Sequence, residues 1–246
     1  MSYYDTVAHG ITFGNKHTWR DWRLVPTARP VFDPPSPKLI EVEVPGADGV
    51  LDLTESLTCD VKYNNRTGSL EFQVENKDHW AEVYSTIMDY LHGQRLKAVL
   101  DDNPDYYYIG RFTVNKWDSN KNRSTIVLDY NLDPYKYELF SSLEKWKWDP
   151  FSFETGIIRD YKDIVVDGSY KLEIPPTRKV VVPTITVTLA DENATMQVRY
   201  GWGTTYSLKE GENRISDIRI SNANQYNFLT FTGRGTVSVD YQGARL

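Results

Sequence analysis

The sequence predicts a mainly β protein in two domains: a β-sandwich-like N-terminal domain with one α-helix, then a C-terminal antiparallel β-sandwich. Three observations carry this prediction. The 246 residues exceed one small sandwich and suit two domains of roughly 100 to 150 residues each. Apolar residues alternate at period two along most of the chain, and a single segment switches to helical spacing. In the C-terminal part, turn clusters recur at intervals of about ten residues, as in an antiparallel sandwich or jelly roll.

Taken in order, the elements begin after a run of breakers. Pro26, Pro30, Pro34, Pro35 and Pro37 fall close together and force extended backbone that lacks ladder donors. Such a segment is neither helix nor central strand; it is either a loop across the end of a sandwich or an arm lying on a neighbouring subunit. Ile40, Val42 and Val44 then alternate with Glu41 and Glu43, and Leu70, Phe72 and Val74 with Glu71, Gln73 and Glu75, which reads as strands with one wet face. Pro45 to Gly49 forms a turn between them. Trp80, Val83, Tyr84, Ile87 and Leu91 lie at helical spacing, with Asn76 or Asp78 as N-cap and Gly93 at the C-cap. This is the predicted helix, packed on a sheet.

Beyond the helix, strands over 95–100 and 106–114 flank the acidic tip Asp101-Asp102-Asn103-Pro104-Asp105, and another strand covers 124–130. Aromatic residues Tyr135, Tyr137, Phe140, Trp146 and Trp148 mark a connector that docks, with the domain boundary between 142 and 143. In the second domain, Thr184 to Leu189, Met196 to Tyr200 and Val237 to Tyr241 alternate as strands. Turns are expected at 191–193, 210–213, 221–224 and 233–235.

Composition narrows the function. With 28 basic and 34 acidic residues the net charge is −6, and residues 151–246 contain 11 of each sign, so the excess lies in the first domain. Affinity for phosphate backbones needs Lys and Arg, so specific nucleic-acid binding is not expected. A single cysteine, Cys59, excludes an intrachain disulfide and a Cys-based metal cluster. No apolar run is long enough to span a membrane, and the opening residues lack the order of a secretory signal, so cytosolic synthesis is expected.

Catalytic motifs are missing: there is no nucleophile elbow, His-Glu-x-x-His, phosphate loop or dinucleotide fingerprint. His9, His17, His79 and His92 share no ligand spacing and suit capping or surface roles. Asp101, Asn103 and Asp105 match the first positions of a calcium loop, but Tyr106 and Phe112 stand where glycine and a bidentate Glu are needed. Acidic residues are too numerous for sequence to select a glycosidase pair. Neither cofactor nor metal is expected. One site residue is singled out: Trp202, between Gly201 and Gly203, is a candidate carbohydrate contact, weighed against a ring folded back on its own core.

Several segments together resemble the distal tail (Dit) proteins of long-tailed bacteriophages that infect Gram-positive bacteria. They are Ile11-Thr12-Phe13-Gly14 with His17 to Trp22, Pro45 to Gly49 running into Leu51 to Glu55, and Asn65-Arg66-Thr67-Gly68. His92-Gly93-Gln94 leading to Asp105 to Arg111, and Asp133 to Tyr137, complete the set. The likeness covers most of the first domain; in the second it rests on Val166 to Tyr170 and the strand pattern. It implies a non-enzymatic virion protein of the tail tip, assembled in host cytoplasm. Its 1–142 domain would form a homo-hexameric ring, and its 143–246 domain would be a galectin-like sandwich. The implied partners are the tail-tube (major tail) protein on one face and tail-associated, baseplate or receptor-binding proteins on the other. The alternative is a carbohydrate-binding accessory module recognising host wall sugars. Acidity in the ring-forming domain would suit a conduit for DNA, because like charge repels phosphate.

Overall fold

The computed structural model describes residues 9–75, 79–119, 124–144, 161–224 and 226–246. The chain divides into two compact units, Met1–Leu139 with Leu246, and Phe140–Arg245. Among the described residues, no helix is long and apolar enough to cross a membrane.

The first unit runs β1 (Ile11–Phe13), β2 (Lys16–His17), α1 (Thr18–Trp22), β3 (Leu24–Pro26), β4 (Glu41–Glu43), β5 (Val50–Asp52), β6 (Arg66–Val74), α2 (Trp80–Leu91), β7 (Arg95–Leu100), β8 (Tyr106–Ser119), β9 (Ser124–Leu132) and β10 (Lys136–Glu138). Its sheet follows the order β2-β1-β7-β8-β9-β6-β3, with β10 added beside β8 and all pairings antiparallel. Period-two alternation explains the core: Leu70, Phe72 and Val74 of β6 and Ile126, Leu128, Tyr130 and Leu132 of β9 turn inward, while the residues between them are exposed along β6 and mostly half-buried along β9. Ile87 and Leu91, one helical turn apart, bring α2 into the same core.

The predicted helix is present, but its N-cap is His79, which makes no side-chain capping bond. Asn76 and Asp78 lie outside the described residues. Gly93 takes positive φ just past the end of α2, as a C-terminal glycine should. The five-residue α1 was not expected, since so short a segment shows no periodicity. It is nucleated by His17, whose Nδ1 accepts hydrogen bonds from the backbone N–H groups of Trp19 and Arg20 at 3.1 and 3.2 Å.

The second unit contains β11 (Ile164–Glu173), β12 (Thr184–Leu189), β13 (Met196–Tyr200), β14 (Thr205–Leu208), β15 (Gly211–Asn213) and β16 (Phe228–Asp240). Its sheet order is β14-β13-β16-β12-β15, with β11 along the other side of β16. Ile185, Val187, Val198, Phe231, Val237 and Val239 fill the core. Two expected turns are strands instead. Residues 211–213 form β15, paired with β12. Gly233 to Gly235 lies inside β16, where the strand leaves β13 and begins pairing with β12. A Cβ on Gly233 or Gly235 would strike the carbonyl of Thr195 or Thr188, so glycine serves close backbone approach here rather than chain reversal. Trp146 and Trp148 of the expected docking connector lie outside the described residues.

Candidate functional site

The most unusual surface is the ribbon of β4 and β5. Glu41, Val42 and Glu43 pair with Asp52, Leu51 and Val50, yet both faces are exposed. The expected single wet face is therefore wrong for this strand: it has no core to turn toward. Leu39, Ile40, Val42, Val44, Val50 and Leu51 are 43–59% exposed, and Leu57 is 85% exposed. Two-stranded hairpins are marginal on their own, and contiguous apolar surface of this kind marks an interaction site. Between Lys38 and Lys62 the ribbon also carries six acidic and two basic side chains.

The ribbon's neck is tied by backbone bonds from Lys38 to Lys62 at 2.8 Å and from Asn64 to Ser36 at 2.9 Å. Its root is clamped. Arg66, only 4% exposed, donates through Nε to the Pro134 carbonyl and through Nη1 to the Asp33 carbonyl, each at 2.9 Å. Its guanidinium lies 5.5 Å from the centre of the Tyr108 ring. Tyr130 Oη accepts from the Asp33 N–H at 2.9 Å and donates to its carboxylate at 3.1 Å. Phe32 is buried between Tyr108 and Tyr130, with ring centres 4.6 and 5.0 Å away. Burial pushes the Arg66 guanidinium below its ordinary value, and pushes the Tyr108 and Tyr130 hydroxyls above theirs. The result is a fixed base under an exposed tip.

Sequence reasoning placed Asn65 to Gly68 in a motif without a role. The signal was present in the alternation: Arg66 and Gly68 share the phase of Leu70, Phe72 and Val74, so Arg66 points inward. A Cβ on Gly68 would meet Tyr130 Oη and the Asp33 carboxylate.

The acidic tip is less free than the sequence suggests. Asp101 contacts His17 Nε2 at 3.0 Å. Asp102 bonds His9 Nδ1 at 2.8 Å and Arg29 Nε at 2.9 Å. The hydrogen bond from His9, opposed by burial and aided by Arg29, holds the Asp102 carboxyl below the ordinary carboxylate value. Among the described residues, no group of three or more His, Cys, Asp or Glu side chains is arranged to hold a metal ion.

Trp202 stands apart from all of this, in the second unit. The residue is 71% exposed, although it meets the buried Phe228. Tyr226 and Phe228 meet it edge-to-face, with centroids 6.5 and 5.6 Å away.

Together these features define an antiparallel β protein with an anchored, projecting apolar ribbon. No protein-family model and no curated protein sequence matches the chain. Among solved structures it is similar to the crystal structure of the SPP1 Dit protein, described as a paradigm of the hub adsorption apparatus in phages infecting Gram-positive bacteria. The TM-score is 0.63 at 13% identity, and the match covers 98% of this chain and 100% of that one. The likeness read from the sequence is thus met at the level of the fold.

Proposed function

We propose that this chain is a structural hub protein of a long-tailed phage. Six copies form a ring that joins the tail tube to baseplate or tail-tip proteins, and the protein works without catalysis. Its place is the tail tip of the virion, after assembly in host cytoplasm. The observation that carries this reading is the exposed apolar ribbon on its clamped root. A ring needs head-to-tail contacts in which one surface of each copy meets a different surface of the next. A projecting arm with both faces uncovered is suited to lie on a neighbour; the proline-rich segment that precedes it packs on its own domain, with Pro30, Phe32 and Pro35 buried. The shared fold with the SPP1 Dit protein supports the same role. The galectin-like character of the second unit belongs to this proposal as well.

The test is mass measurement with negative-stain electron microscopy on purified protein, alone and with tail-tube protein. Sixfold rings are expected in at least one condition. Replacing Val42 and Leu51 together with Ser should abolish them while leaving the thermal melt unchanged, since neither side chain belongs to a core. A wild-type monomer in both conditions, or rings indifferent to the double substitution, overturns the proposal.

A further inference from the structure

We propose that the second unit binds a neutral, β-linked sugar pair of a glycan chain on the exposed ring of Trp202, with Tyr226 as its second wall. Exposure alone would not carry this; the way the ring is held does. Gly201 N–H donates to the Phe228 carbonyl at 2.8 Å, and Gly203 N–H to the Tyr200 carbonyl at 3.0 Å, fixing both ends of the turn that presents Trp202. Gly201 has φ of 54°, a left-handed conformation that glycine adopts without strain. Arg199 lays its guanidinium 5.6 Å from the Trp202 ring centre. The facing loop is braced in turn: Tyr200 Oη donates to Asn227 Oδ1 at 2.6 Å, and Asn224 Nδ2 donates to Tyr200 Oη at 2.9 Å and to the Arg219 carbonyl at 2.8 Å. A large aromatic ring held rigidly in water costs stability, and a preorganised aromatic surface lowers the cost of ordering a ligand.

Size selects the class of ligand. Trp202 is 71% and Tyr226 51% exposed, and aromatic side chains offer about 150 to 250 Å² each, so the pair leaves roughly 300 Å² open. A stable protein partner needs about 800 Å² on each side. A flat β-linked disaccharide, whose axial C–H groups form an apolar face, is of the smaller size. The surroundings suit it: Thr204 and Thr205, which follow the turn, and Asn224, two residues before Tyr226, are exposed and uncharged, and Arg199 is a donor beside the ring. Asn224 has committed its amide donors, and its Oδ1 is left to accept from a sugar hydroxyl.

Cellobiose, chitobiose and lactose serve as probes, each added to the full chain and followed by saturation-transfer difference NMR on the sugar protons. Transfer to at least one probe is expected. It should weaken about tenfold or more in Trp202→Ala and survive in part in Trp202→Phe. The ring is exposed, so both variants should keep the wild-type melt and ring-forming behaviour, which separates failure here from failure of the hub proposal. No transfer to any probe, or transfer unchanged by Trp202→Ala, overturns the inference. So does a Trp202→Ala variant that loses capture of a purified tail protein while sugar transfer is unaltered.

Discussion

His17 uses its two ring nitrogens for different tasks. Because Nδ1 accepts from two backbone N–H groups, the ring proton sits on Nε2 and is donated to Asp101. His17→Ala removes the cap of α1 and this bond, and should lower stability by about 1 to 2 kcal/mol in a thermal or denaturant melt. His17→Asn, which can cap, should recover part of that loss. Asp102 supplies a pH signature. Its carboxyl is held below the ordinary value of 3.8, first by the His9 hydrogen bond. The stability it contributes is therefore present above that value and is lost as pH falls through the lower folded value. Asp102→Asn should flatten the acid limb of a stability-against-pH curve and leave its neutral region parallel to wild type. These pairings also bear on the idea that the tip repels passing DNA. Changing Asp101 and Asp102 to Asn removes local anchors as well as charge, so slowed DNA ejection tests that idea cleanly only through Asp105.

The ribbon, at the scale of an element, depends on its base as much as on its tip. Tyr130→Phe deletes both bonds to Asp33, leaving a backbone N–H and a carboxylate oxygen without that partner. A loss of about 1 to 2 kcal/mol is expected from the melt, with assembly weakened further because the root loosens. Elements were legible wherever one face is dry. Strands β6, β9 and β12 and helix α2 follow directly from alternation or helical spacing, since burial on one side imposes the pattern. Three features escaped for physical reasons. The five-residue α1 is shorter than two turns. Gly233 and Gly235 look like turn residues because glycine marks tight backbone approach and reversal alike. The ribbon was read as half buried because alternating Val and Glu in sequence cannot tell a core from a partner. Trp202 was legible as a candidate, but its outward setting depends on bonds from loops distant in sequence.

Each unit has its own core, so stability at the scale of the whole molecule should divide accordingly. Phe72 and Phe231 are fully buried, one in each core. Replacing either with Ala should cost about 3 to 5 kcal/mol. In calorimetry, Phe72→Ala should lower the transition of the first unit and Phe231→Ala that of the second, and a single transition shifted equally by both would show the units to be coupled. The two functions argued above fall on different units: assembly on the first, sugar contact on the second.

The anchored ribbon has a further consequence for mixtures. In the proposed ring every copy both lends an arm and receives one, so a chain with a blunted tip still accepts its neighbour's. Such a chain joins a growing circuit and then stops it. Co-expressed at a minority fraction beside the intact protein, the Val42 and Leu51 double variant should act as a dominant inhibitor, depressing the yield of closed particles by more than its share of the pool.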